Sequence, residues 1–153
     1  LPIREALWWT RGDKDLAEGR TREALAAFLS PPPLLADVGS TFVRQGDAWM
    51  TAGEFRSAEA AFRKALALGA DNPRIRTGLS QSLQRQGRPR EALEHSEAGW
   101  RQSPLSAYAA ASLAINYHAL GRADDARRLI LEAISLRPEE AEYRAIAKQL
   151  EVK

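Results

Sequence analysis

The chain has 153 residues, of which 44% are hydrophobic and 27% charged, enough for one ordinary domain and unlike a disordered or membrane composition. Its 22 Lys and Arg against 20 Asp and Glu give a formal charge of +2, too slight an excess for a nucleic-acid surface, which concentrates positive charge on one face. The absence of cysteine excludes disulfides, thiol catalysis and cysteine-ligated zinc. No run reaches the roughly 20 apolar residues of a membrane span, and Leu1 to Trp9 lacks the pattern of a signal peptide.

Residues 5 to 18 are predicted to form the first helix, with Leu7, Trp8 and Leu16 on its buried side and Trp9 turned elsewhere, where it is a binding candidate. A second helix from Thr21 to Ser30 carries Ala24, Leu25 and Phe28 at helical spacing. Pro31, Pro32 and Pro33 stop it, since each removes a backbone donor and holds φ near −65°, and the stretch from Pro31 to Ala36 is expected to be an extended connector. Asp37 or Ser40 is expected to cap the next helix, which runs to Ala52, and its partner runs from Arg56 to Leu68. Asn72-Pro73 and Ser103-Pro104 both read as helix starts, a capping side chain followed by proline at the first helical position. Pro89 gives the same signal. In the third hairpin Ser96 and Gly99 replace the expected large and small core residues, so Trp100 is expected to refill the volume and the helix to be displaced. The last helix, Glu139 to Leu150, places Tyr143, Ile146, Ala147 and Leu150 on one stripe with Glu140, Glu142, Arg144 and Lys148 outside it, the form of an end cap. No such cap precedes the first helix, which carries the expectation that the array begins outside this segment.

These elements share a period. Glycine stands at 19, 53, 87 and 121, and alanine at 24, 58, 92 and 126, each series stepping by 34. A fixed interval of this length is the mark of stacked helical hairpins. Glycine suits the left-handed backbone that ends one helix and begins a tight turn. Small residues such as Gly46 and Ala58 let two helix axes approach to ~8–10 Å, with Trp49 and Phe62 filling the gaps. Glu23, Glu91 and Asp125 share one position in the first turn of their helices, where a negative charge complements the helix dipole by ~0.3–1 kcal/mol.

The pattern resembles the tetratricopeptide repeat family. The second repeat carries Phe42, Gln45, Gly46, Trp49, Ala58 and Phe62 at the family's positions. The third carries Arg76, Leu79, Ser80, Leu83, Ala92, Ser96 and Pro104, and the fourth Ala110, Leu113, Ala114, Tyr117, Ala126, Ile130 and Pro138. The first repeat, with Trp8, Gly12, Ala24 and Phe28, diverges most. The resemblance implies an all-α, right-handed superhelical solenoid of helix-turn-helix repeats in a single domain, with repeats at about 5–36, 39–72, 73–106 and 107–138 and a capping helix at 139–150. It also implies a concave surface lined by the first helices of successive hairpins. Carried over by position, that lining is Trp9, Asp13, Val43, Arg44, Asp47, Met50, Arg74, Thr77, Gln81, Gln84, Arg85, Tyr108, Ala111, Ile115 and His118. Arg44, Arg74 and Arg85 suit carboxylates, and Met50, Tyr108 and Ile115 suit apolar groups. Members that clamp the terminal carboxylates of heat-shock chaperones use lysines and asparagines here, whereas this chain has Trp9, Asp13, Arg44, Arg74 and Gly78, so that ligand is not expected.

Catalytic signatures are missing from the sequence. His95 and His118 lack the i, i+4 histidine partner of a zincin helix, Gly12 and Gly19 are followed by no Gly-Lys-Ser/Thr, and the acid pairs Asp124-Asp125 and Glu139-Glu140 sit at helix starts. No metal or cofactor site is expected. The leading expectation is a non-catalytic adaptor that binds a peptide or helix of a partner protein, with bacterial secretion or envelope assembly as one setting. A substrate-docking or regulatory domain of a larger enzyme and a self-association module are the alternatives. Nucleic acid and membrane insertion are not expected, while a homo-oligomer is compatible with the sequence.

Overall fold

A computed structural model describes residues 3–32 and 38–151. Among the described residues all regular structure is helical: α1 (Ile3–Ala17), α2 (Thr21–Leu29), α3 (Gly39–Ala52), α4 (Phe55–Ala67), α5 (Pro73–Arg85), α6 (Pro89–Gln102), α7 (Ala107–Ala119), α8 (Ala123–Leu136) and α9 (Ala141–Gln149). They fall into two compact units, Leu1–Asp71 with the hairpins α1–α2 and α3–α4, and Asn72–Lys153 with α5–α6, α7–α8 and α9.

Each hairpin is made by the same turn. Gly53 closes α3 at φ +78°, a conformation that costs a residue without a side chain nothing. Its N–H donates to Met50 O at 3.1 Å, and Glu54 N–H reaches back to Trp49 O at 3.0 Å, which satisfies two carbonyls that the helix end would leave open. Gly19, Gly87 and Gly121 repeat that geometry. After two of these turns an arginine clasps the acid three residues on, Arg88 on Glu91 and Arg122 on Asp125. The shared acidic position thus ties down the turn as well as facing the helix dipole.

Packing inside the hairpins follows a second series at the same interval. An added Cβ on Gly46 would lie 2.6 Å from the Phe62 ring, and one on Gly12 would collide with Phe28. Both rings are buried because the facing residue has no side chain. The corresponding pairs in the second unit are Ser80 with Ser96 and Ala114 with Ile130, all buried. As the first helix gains atoms, the second loses them. Ser96 turns its hydroxyl to Leu93 O at 3.0 Å. A Cβ on Gly99 would meet Thr77 Oγ1 at 3.1 Å and Arg76 Cβ at 3.2 Å, so α6 lies close on α5. Trp100 packs instead on the apolar cluster of α7 and α8, where Leu113, Leu129 and Ile130 are buried and Tyr143 and Ile146 of α9, with Leu150 just after it, also pack.

Several expectations are corrected. Leu7 is 61% exposed. At 100° per residue it stands about 140° from Gly12, whereas the buried stripe of α1 runs through Gly12 and Asp15, with Leu16 at its edge. Asp15 is buried because Arg20 Nε donates to its Oδ1 at 2.9 Å. The side chain of Trp8, the connector at 33–36 and Asp37 lie outside the described residues. Ser40 is inside α3, whose N-cap is Val38. Ser103 ends α6, its N–H donating to Gly99 O and Trp100 O, and Ser106 caps α7 by accepting from Ala109 N–H at 3.2 Å. Asn72 behaves as expected, accepting from Ile75 N–H at 3.1 Å with Pro73 behind it.

Tyr117 joins α7 to α6 by donating its hydroxyl to Glu97 Oε1 at 3.0 Å, with the Arg122 guanidinium 4.0 Å from the ring centre. Burial and then the bond to Glu97 raise its pKa above the ordinary tyrosine value. A raised folded pKa makes this stabilisation complete below the unfolded value of about 10 and lost as pH climbs through the folded one. Thermal melts at stepped alkaline pH are expected to show a flatter decline for Tyr117→Phe than for the parent chain, and identical slopes would contradict this.

Candidate functional site

In the first unit the loop-free spacing of α1 puts Trp9 and Asp13 one turn apart, and α3 brings Arg44 to both. The Arg44 guanidinium lies 4.5 Å from the Trp9 ring centre, and its Nε donates to both Asp13 oxygens at 3.2 Å. The indole Nε1 of Trp9 is buried without a hydrogen-bond partner. Asp47 and Met50 follow on α3, both half-buried. Arg44 was expected to receive a ligand carboxylate, and here a carboxylate of its own chain is already bonded to it, so an acidic ligand must compete with Asp13. This three-residue cluster could not be read from spacing, because Asp13 and Arg44 are 31 residues apart.

In the second unit α5 and α7 run side by side. Tyr108, 47% exposed, donates its hydroxyl to Gln81 Oε1 at 2.7 Å, which fixes the ring over the neighbouring helix. Below that surface Asn116 Nδ2 donates to Ser80 Oγ at 2.7 Å. Asn116 Oδ1 and Ser112 Oγ are buried there without partners. Arg74, Arg85 and His118 are exposed, while Gln84 and Ile115 are half-buried. Thr77 and Ala111, expected in the lining, are buried instead, and Thr77 faces Gly99 on α6. Arg76 also turns inward, with Nη1 3.2 Å from His95 Nδ1.

A cleft of about 520 Å³ lies elsewhere, at the turn end of the second unit, lined by Gly87, Arg88, Pro89, Arg90, Glu91, Ala119 and Leu120. The Arg88–Glu91 ion pair is part of its wall. Among the described residues no group of three or more His, Asp or Glu side chains is placed to hold a metal ion, and no helix is long and apolar enough to cross a membrane. One contact that the sequence reading missed is Gln45 Nε2, which donates to Phe28 O at 2.7 Å. It supplies a partner to a carbonyl at the end of α2, and it explains why an amide stands at Gln45 where the repeat pattern has leucine.

Paired helices of constant interval, each hairpin turn closed by a left-handed glycine, define a helical-hairpin repeat protein. A family model for the tetratricopeptide repeat matches residues 50–94 and 83–150, and the chain belongs to that family. Such repeats serve as protein-interaction modules. No curated protein matches it in sequence. Among solved structures it is similar to MamA of Desulfovibrio magneticus RS-1, at 20% identity and TM-score 0.78 over 97% of this chain and 86% of that one. YrrB, described as a TPR protein with an unusual peptide-binding site, aligns at 17% identity and TM-score 0.73 over 94% and 74%. The Cut9–Hcn1 assembly of the APC/C gives 15% identity and TM-score 0.83 over 94% of this chain and 29% of that one.

Proposed function

We propose that the chain is a non-catalytic adaptor that holds an extended segment of a partner protein on the faces formed by the first helices of its hairpins. The observation that carries this reading is the pairing of Tyr108 with Gln81 across α5 and α7. It holds an exposed aromatic ring rigidly beside Ile115 and polar groups, and a rigid aromatic anchor loses little entropy when a ligand covers it. The peptide-binding site described for YrrB supports the same use of this fold. No feature of the chain or its relatives supports a place in secretion or envelope assembly. Peptides selected from a random library against the chain provide the test. Tyr108→Ala is expected to weaken their binding about tenfold or more while helical circular dichroism stays unchanged. Unaltered affinity would remove this face from consideration, and sedimentation showing dimers that Tyr108→Ala dissociates would favour self-association instead.

A further inference from the structure

Two bonds tie α7 to a single step of α5. Tyr108 reaches Gln81 and Asn116 reaches Ser80, from positions two turns apart on α7. Ser112 lies one turn from each, and at 100° per residue it falls about 40° from both, so it faces the Ser80–Gln81 step between the two bonds. It is 2% exposed and Asn116 0%. Ser112 Oγ and Asn116 Oδ1 nonetheless find no hydrogen-bond partner among the protein atoms. Turning the Asn116 amide over does not relieve this, because only one of its two polar atoms can meet Ser80.

We infer that one ordered water molecule is held between α5 and α7, bonded to Ser112 Oγ and Asn116 Oδ1. Cβ atoms one turn apart on a helix stand about 5–6 Å from each other, a span that a water closes with two bonds of about 2.8 Å each. Water both donates and accepts, so it serves a hydroxyl and either end of the amide. An unbonded polar group in the interior costs more than immobilising a water, and internal waters occupy polar sites of this kind rather than apolar gaps. An ion would need a countercharge there, whereas Ser80, Gln81, Tyr108, Ser112 and Asn116 are neutral at pH 7 and α5 and α7 hold neither Asp nor Glu. An apolar group would leave both oxygens unbonded. The Tyr108–Gln81 bond lies on the solvent side, Tyr108 being 47% exposed, and covers the water. The water thus completes the polar joint between the third and fourth hairpins. It sits beneath the face proposed for the partner and does not depend on that face binding anything.

Oxygen-17 relaxation dispersion, which counts long-lived internal waters, compares the parent chain with Ser112→Ala and with the double variant Ser80→Ala, Asn116→Leu. Each variant is expected to lose one such water. Thermal melts give an independent sign. Ser112→Ala takes a partner from the bound water and is expected to lower the melting midpoint by about 2–4 °C, whereas deleting a hydroxyl that bonds nothing would leave the midpoint level or raise it. An unchanged water count in either variant, or a Ser112→Ala midpoint at or above that of the parent chain, would overturn the inference.

Discussion

Replacing Phe62 by alanine is expected to destabilise the first unit by about 3–5 kcal/mol, the usual cost of emptying a buried aromatic site. The ring is 1% exposed and rests on Gly46, where an added Cβ would stand 2.6 Å from it. The same closeness makes Gly46→Ala unfavourable, because an overpacking cost of about 1–3 kcal/mol exceeds the roughly 1 kcal/mol that alanine gains over glycine in a helix. The repeat itself supplies a remedy. In the fourth hairpin the corresponding pair is Ala114 with Ile130, both in one apolar cluster. Gly46→Ala combined with Phe62→Ile is therefore expected to recover part of what either change loses alone. Urea unfolding followed by circular dichroism measures the parent, Phe62→Ala, Gly46→Ala, Phe62→Ile and the double variant, and a double variant as unstable as the sum of Gly46→Ala and Phe62→Ile would contradict this expectation.

A comparable effect is expected between α5 and α7. Asn116 is 0% exposed and bonds Ser80 at 2.7 Å while its Oδ1 already lacks a partner. Ser80→Ala leaves the Asn116 amide buried and unbonded, at a cost of about 1–3 kcal/mol. Exchanging both for apolar residues, Ser80→Ala with Asn116→Leu, removes the polar groups together and is expected to be close to neutral. A double-mutant cycle on thermal melts should therefore show strong non-additivity. Additive losses would mean that the pair contributes nothing jointly.

Much of the fold was legible because one interval governs several features at once. The N-caps Val38, Asn72, Ser106 and Glu140 step by 34, as do Arg20, Glu54, Arg88 and Arg122 before the second helices. Phase proved a better guide than local chemistry. Ser103-Pro104 looks like Asn72-Pro73, yet the cap falls at Ser106, 34 residues after Asn72, because Ser103 N–H is still engaged by the last turn of α6. Likewise α9 begins in the register of a first helix. What the sequence could not carry are contacts set by the distance between helices. The Asp13–Arg44–Trp9 cluster, the Gln45 bond to Phe28 and the inward turn of Arg76 each depend on how closely two stripes approach. Residue type alone left Arg44 and Arg74 equivalent, and it could not show that Arg44 is bonded to Asp13 of the neighbouring first helix.

The first-helix faces of the hairpins are the working surface proposed for this protein. Titrating the isotope-labelled chain with a library-selected peptide while following backbone amide resonances tests that directly. Shifts are predicted along α5 and α7, centred on Gln81, Arg85, Tyr108 and Ile115. Shifts centred on α6 and α8, or on the turn-end cleft at Arg88 to Glu91, would contradict it.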